Sequence, residues 1–314
     1  LVFAPLLAPG LRGGTSEVLG ILVVVAYAGH VAVTGWLWTV PDVRETVRNQ
    51  PVRLVALPVV LVTSAVGIAM LVRGHLFSWL LLGFFAWQFS HFQRQNLGLA
   101  KLIAAKWAAE PMGNVECGIA MIAGWCGIAA LMTRPALLGL PRLDVASVET
   151  GFAFRFAALV YATCVIAAVF VALTVRRPVS VSASCLICVL FMTPVFLFHN
   201  PQGAVTGLVV AHGLRYLWIV RWRSRQASIA ASSAGWLGSV AVIAGAVLGG
   251  CLLEAMSELH SAQHVVSRVL YGAYFGVVMG HFSVDTVVWR RPTRRIVTSH
   301  RRGALLPSPA YGRL

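Results

Sequence analysis

From Phe152 to Val175 the chain reads FAFRFAALVYATCVIAAVFVALTV, 24 residues with a single charge at Arg155. At about 1.5 Å rise per residue a helix of that length covers roughly 36 Å, more than the roughly 30 Å hydrocarbon layer of a bilayer. Comparable stretches recur at approximately 17–40, 54–72, 76–100, 114–133, 179–198, 203–220, 235–256 and 265–289. The expected fold is therefore all-α, a polytopic transmembrane helical bundle of about nine spans, eight to ten. Composition agrees, because 58% of the 314 residues are apolar, 11% are charged and the mean hydropathy is +0.80. A soluble globular domain carries about one quarter charged residues, so that class is excluded. Disorder, collagen and a disulfide scaffold are excluded with it. No soluble domain, linker or internal repeat interrupts the pattern, and residues 1–314 read as one integral membrane domain with a basic tail at 290–314.

The net charge of +15 would raise the question of nucleic acid in a soluble protein. Here it reads as topology, and no nucleic-acid partner is expected. With the tail placed in the cytoplasm, alternating loops put Arg44, Arg48, Arg53, Lys101, Lys106, Arg176, Arg177, Arg221, Arg223 and Arg225 inside, together with seven tail arginines. Only Arg12, Arg73, Arg134 and Arg142 fall in outside loops. That asymmetry is the one expected of short cytoplasmic loops, so the N-terminus is expected outside and the C-terminus cytoplasmic, in a bacterial inner (plasma) membrane. Leu1 to Pro9 is apolar but too short to span; if it is the stub of a longer helix, the count becomes ten. The tail arginines are expected to orient the chain and to attract anionic lipid headgroups.

All six cysteines lie within or at the edge of apolar segments, which implies no disulfide framework, and the Cys185-x-x-Cys188 pair reads as helix packing. Small residues mark close helix contacts: Gly272, Gly276 and Gly280 form a smooth ridge on the last span, and Gly245 with Gly249 a second. Both are expected to serve packing within the chain.

Ionisable groups within a bilayer are costly and mark function unless a partner explains them. The intramembrane set is His30, His91, Arg94, His212, Arg215, His281 and Asp285, with Gln88 and Gln95 beside them. The four histidines lie on the first, third, seventh and ninth spans, all of which run from outside to inside. His30 precedes Asp42 by twelve residues, His91 precedes Lys101 by ten, and His212 and His281 precede Arg221 and Arg290 by nine. Those counts place the imidazoles within roughly 5 Å of one level. Spacings of three or four residues add Thr34 to His30, Gln88 and Gln95 to His91, Arg215 to His212 and Asp285 to His281.

Neutral imidazole suits iron, copper or zinc, and three or four imidazoles with one carboxylate suit non-haem iron. His30, His91, His212 and His281 are the expected metal ligands, with Gln95, Thr34 or Asp285 as acceptors of the second ring nitrogen. Two His pairs could alternatively ligate haem axially, and the same residues could form a hydrogen-bonded polar network with no metal. Arg94 and Arg215 need an anion; the simplest arrangement pairs Arg215 with Asp285, while Arg94 toward the inner face could hold an anionic headgroup of a lipid-like substrate. His260 and His264 form an H-x-x-x-H pair that reads as a surface pair at the outer end of the last span. No P-loop, no G-x-S-x-G nucleophile elbow and no carboxylate-rich di-iron pattern is present.

Four strings carry a resemblance: His30-Val-Ala-Val-Thr34, His91-Phe-Gln-Arg-Gln-Asn-Leu-Gly98, His212-Gly-Leu-Arg-Tyr-Leu217 and His281-Phe-Ser-Val-Asp285-Thr-Val-Val-Trp-Arg290. They resemble a group of bacterial polytopic membrane proteins, over residues 30 to 290, which implies a His-centred site without naming a reaction. The chain is more loosely similar to His-rich membrane oxygenases and desaturases, including the carotene-cleaving Brp/Blh type, although their clustered His boxes at the inner face are absent. The expected activity is a membrane oxidoreductase in which the four histidines bind a redox metal, Asp285, Arg94 and Arg215 assist, and a lipid-soluble substrate enters from the bilayer. The alternatives are a transporter or proton-coupled carrier using the same polar layer, and a structural or assembly protein.

Overall fold

The computed structural model describes residues 26, 28–37, 41–107, 109–138, 140, 143, 148–230, 244–245, 247–253, 255–256 and 264–288. Among these every regular element is helical. In chain order the α-helices are α1 (Gly29–Leu37), α2 (Pro41–Asn49), α3 (Leu57–Leu71), α4 (Gly74–Lys106), α5 (Asn114–Met132), α6 (Val148–Thr174), α7 (Val179–Leu190), α8 (Thr193–Leu197), α9 (Gly207–Ala230) and α10 (Val265–Val288). A wider π-helical turn leads into α3 at Val52–Ala56 and into α9 at Gln202–Thr206, each just after a proline.

Among the described residues, four helical stretches are long and apolar enough to cross a membrane: Val52–Leu71, Asn114–Met132, Thr150–Thr174 and Val265–Thr286. Their surfaces say the same. Along α6 the large side chains of Phe152, Phe156, Leu159, Ile166, Phe170 and Leu173 are all exposed. Such a stripe far exceeds the scattered apolar exposure normal in water and marks a face solvated by lipid.

The expected count of nine is not reached by length and hydropathy among the described residues, and the reasons are local. Helix α4 covers the expected span at 76–100 but carries Gln88, Ser90, His91, Gln93, Arg94, Gln95 and Asn96 in succession. Helix α9 is diluted in the same way by His212, Arg215 and the arginines beyond it. The expected span at 179–198 is broken after Leu190, where Pro194 cannot donate the hydrogen bond that would continue the helix. Side chains close the break: Thr193 donates to the Leu190 carbonyl at 2.7 Å, Tyr161 to Val189 at 3.1 Å and Gln93 to Cys188 at 2.9 Å. In a medium without water those carbonyls would otherwise remain unsatisfied. Half or more of each of the expected spans at 17–40 and 235–256 lies outside the described residues, as do Leu1 to Pro9, His260 and the tail from 290.

Between α1 and α3 the stretch read as a loop is partly helical, because Pro41 occupies the first position of α2, where its missing N–H costs nothing. Between α3 and α4 the chain reverses at Gly74, whose φ of +64° favours a residue without Cβ. The main core joins α4, α5, α6 and α7 around Phe89, Phe92, Ile128, Leu131 and Met192. The glycine ridge of α10 lies on α3: a Cβ at Gly272 would meet Val66 Cα at 2.7 Å, one at Gly276 would run into Val62, and one at Gly280 would meet Pro58 at 3.3 Å. Gly249 similarly faces Ala32, whereas Gly245 has open space around it. All six cysteines are free.

Candidate metal centre

The four histidines expected at one level come together. His30 on α1 packs edge-on against His212 on α9 and His281 on α10, with ring centroids 4.9 and 4.8 Å apart. His91 on α4 closes the square, 5.7 Å from His212 and 5.8 Å from His281. All four are at most 7% exposed. Two overlapping ligand sets result, His30–His212–His281 and His91–His281–Asp285, and within each the ligating atoms lie within 4.8 Å of one another.

A second polar layer sits one helical turn further along each chain. Every one of the four helices supplies a partner four residues after its histidine: Thr34, Gln95, Tyr216 and Asp285. These four are joined in one chain of hydrogen bonds. Thr34 Oγ1 lies 3.2 Å from the Tyr216 hydroxyl, Tyr216 donates to Asp285 Oδ1 at 3.2 Å, and Gln95 donates to Asp285 Oδ2 at 2.6 Å. Since the histidines meet in one layer and their i+4 partners in the next, the four helix segments run in the same direction through the site.

Donor and acceptor roles now follow by consistency. Asp285 accepts at both oxygens, so the Tyr216 hydrogen is committed there. Tyr216 then accepts from Thr34, whose other acceptor, the His30 carbonyl, is farther away at 3.4 Å. Thr34 Oγ1 is left to accept from His281 Nδ1 at 2.5 Å. His281 therefore carries its proton on Nδ1 and presents a lone pair at Nε2. His30 Nδ1 donates in the same sense to the Ala26 carbonyl at 3.1 Å, in a turn wound as a π-helix at Ala26 and Ala28.

The Nε2 atoms of His91, His212 and His281 are buried and make no hydrogen bond. Asp285 Oδ2 stands 3.5 Å from His91 Nε2 and 3.4 Å from His281 Nε2, without forming a hydrogen bond to either and close enough to share a cation. An unsatisfied buried polar atom costs about 1–3 kcal/mol, so three cost roughly 3–9 kcal/mol. That is comparable with the whole net stability of a typical domain, about 5–15 kcal/mol. One cation bound by these three nitrogens would relieve all three at once.

Aromatic rings hold the imidazoles in place. Phe92, next to His91 in sequence, stacks on His212 at 3.7 Å and 20°, and Phe282, next to His281, stacks on His91 at 4.4 Å and 25°. Each His-Phe pair thus gives one ring to the square and one ring to clamp a different helix's imidazole. On the far side Phe282 meets Trp87, which is half-exposed on the outer surface of α4. Two rings separate the ligands from the surrounding medium at that point.

The arginines stand apart from this cluster. The expected Arg215–Asp285 pair does not form: Arg215 NH1 donates to Asn96 Oδ1 at 2.5 Å, and the guanidinium lies over Phe191. The reason is spacing, because Arg215 is three residues beyond His212 whereas Tyr216, at four, takes the place facing Asp285. Arg94 is exposed on α4, and His264 is exposed at the start of α10. Gln88 is buried near the site level. Reading the sequence did not assign a role to Tyr216, to Asn96 or to Gln93, which bridges the carbonyls of Ala120 and Cys188. The repeated i+4 spacing on four helices was the available signal for Tyr216.

Neighbouring imidazoles contact each other edge to face at 4.8–5.8 Å. No family model matches the chain, and no curated protein and no solved structure is significantly similar to it.

Proposed function

We propose that this chain is an integral membrane oxidoreductase of about nine spans, with its C-terminus in the cytoplasm of a bacterial inner membrane. In this reading His30, His91, His212, His281 and Asp285 hold a single non-haem iron ion, and the substrate is lipid-soluble. The observation that carries the reading is the convergence of bare Nε2 atoms and a carboxylate oxygen in a water-excluded layer.

The number of ions follows from His281. It belongs to both ligand sets, but its Nδ1 is occupied by Thr34, so only Nε2 is free to ligate and it serves one ion. Imidazoles with a single carboxylate match the donor preference of iron in oxygenases, where two histidines and one carboxylate occupy one face. Bound iron would supply one-electron and O2 chemistry directed at an apolar chain or polyene. The chain's own residues do the rest. Thr34 and Tyr216 orient His281 and Asp285, Phe92 and Phe282 fix the rings and exclude water, and the thin Trp87–Phe282 wall is where a substrate dissolved in the bilayer reaches the site.

A transporter reading draws on the broken α7–α8 segment, since unwound helices bind ions in carriers. Here the carbonyls at the break are already taken by Gln93, Tyr161 and Thr193, which favours the enzyme. Elemental analysis of purified protein tests the proposal: about one iron per chain is expected, absent from His212→Ala and His281→Ala. Metal-free wild type after expression in iron-replete medium, with uptake into proteoliposomes abolished by Asp285→Asn, would instead establish transport.

A further inference from the structure

A second feature lies away from the histidines, in an open crevice between α5, α6 and α7. None of its lining comes from α1, α4, α9 or α10, so it is independent of the metal proposal. Its walls are apolar: Ile119, Val171, Leu186 and Val189 line it, and the small side chains of Ala168 and Ala172, one turn apart on α6, leave the space open. At one end stand Arg177 and Glu116, joined by two hydrogen bonds of 2.7 and 2.9 Å.

That ion pair is incomplete as a hydrogen-bonding unit. The Arg177 side chain is only 8% exposed, and its Nε–H is buried with no hydrogen-bond partner. A guanidinium has five N–H groups, and Glu116 engages NH1 and NH2 from one side. The edge bearing Nε is left for a second acceptor, and a buried charged donor without one is expensive. Position narrows the identity of that acceptor. Arg177 lies three residues beyond Thr174, the end of a candidate span, and Glu116 lies in the first turn of another. Both therefore sit at the boundary of the hydrocarbon layer, where lipid phosphates are found, and exposed Arg176 adds positive charge beside them. An aqueous anion would leave the apolar walls bare. A phospholipid satisfies both halves.

We infer that the crevice between α5, α6 and α7 binds one phospholipid, whose phosphate accepts from Arg177 and whose acyl chain lies along Ala168 and Ala172. The lipid is a resident of the bundle, closing the seam between α6 and α7.

Native mass spectrometry of delipidated, detergent-solubilised full-length protein titrated with dioleoylphosphatidylglycerol tests this. Arg177→Lys keeps a positive charge beside Glu116 but deletes the Nε donor, and Ala172→Leu fills the crevice while leaving the ion pair intact. Each is expected to weaken binding about tenfold or more, the effect of one charge-assisted hydrogen bond or of excluding the chain. Dioleoylglycerol, which lacks the phosphate, should bind wild type about tenfold more weakly, and inorganic phosphate should not compete. Wild-type affinity in folded Ala172→Leu, or in folded Arg177→Lys, overturns the inference. So does full competition by inorganic phosphate, which would make this a site for a free anion. If Arg177→Lys fails to fold, Ala172→Leu decides alone.

Discussion

Thr34→Val is the sharpest probe of the metal centre, because it changes no ligand and almost no volume. In the native arrangement Thr34 accepts from His281 Nδ1 and passes a hydrogen bond on to Tyr216, which holds Asp285. Valine removes both links. The His281 Nδ1–H is then buried beside a methyl group, at a cost of about 1–3 kcal/mol to the metal-free protein. The imidazole is also released to rotate or to change tautomer, which in metal sites typically lowers affinity about 10–100-fold.

The two effects separate by linkage. At a metal concentration 100 times the wild-type dissociation constant, binding adds about 2.7 kcal/mol to stability; after a 100-fold loss of affinity the same concentration adds only about 0.4 kcal/mol. The assay is thermal unfolding in detergent, with and without Fe(II) under anaerobic conditions, for both proteins. Wild type should gain a large metal-dependent shift and Thr34→Val a small one, on top of a lower metal-free midpoint. An equal metal-dependent shift in the two proteins would refute the argument that Thr34 orients a ligand. No shift in either would refute the metal centre.

Arg215→Met should leave iron content unchanged, since Arg215 bonds to Asn96 rather than to Asp285; elemental analysis showing metal loss would place the guanidinium in the ligand network after all. Gly276→Ala drives a Cβ into Val62 and should lower stability by about 1–3 kcal/mol in thermal unfolding, whereas Gly98→Ala, which meets nothing within 4 Å, should be neutral or slightly stabilising through helix propensity. Gln93→Leu strands the Cys188 carbonyl at the end of α7 and should cost about 1–3 kcal/mol, with faster hydrogen exchange at the α7–α8 break as the local readout.

Much of the site was legible because it obeys a single arithmetic. Counting from the charged residues at the ends of the expected spans set His30, His91, His212 and His281 at one depth, and the structure places their rings in one square. The neighbours were harder. On α9 the eye is drawn to Arg215 as the charged residue, yet its three-residue spacing turns it toward Asn96, and the uncharged Tyr216 enters the network instead. Pairing across helices depends on rotation about each axis, which depth alone does not specify. The spans were legible where apolar residues run unbroken, as in α6, and less so where the chain carries its own chemistry. Helix α4 fails as an apolar span because of the very residues that build the site. The break after Leu190 turned on one residue, Pro194, inside an otherwise continuous apolar run, and only the side chains that close it show how the bundle accommodates it.

The glycine ridge and the histidine cluster are parts of one construction. Gly280 packs on Pro58 and immediately precedes His281, with Gly276 on Val62 and Gly272 on Val66 repeating the contact at successive turns. This leaves α10 little freedom to slide along α3. A slip of one residue would move His281 by about 1.5 Å and rotate it by about 100°, carrying both it and Asp285 out of the polar layers. Because the ridge lacks side chains, the backbones approach closely and many weak contacts fix that register. The polar residues need not supply the energy that holds them together: packing on α3 positions α10, and the Nε2 atoms of His91, His212 and His281 can stay without hydrogen-bond partners.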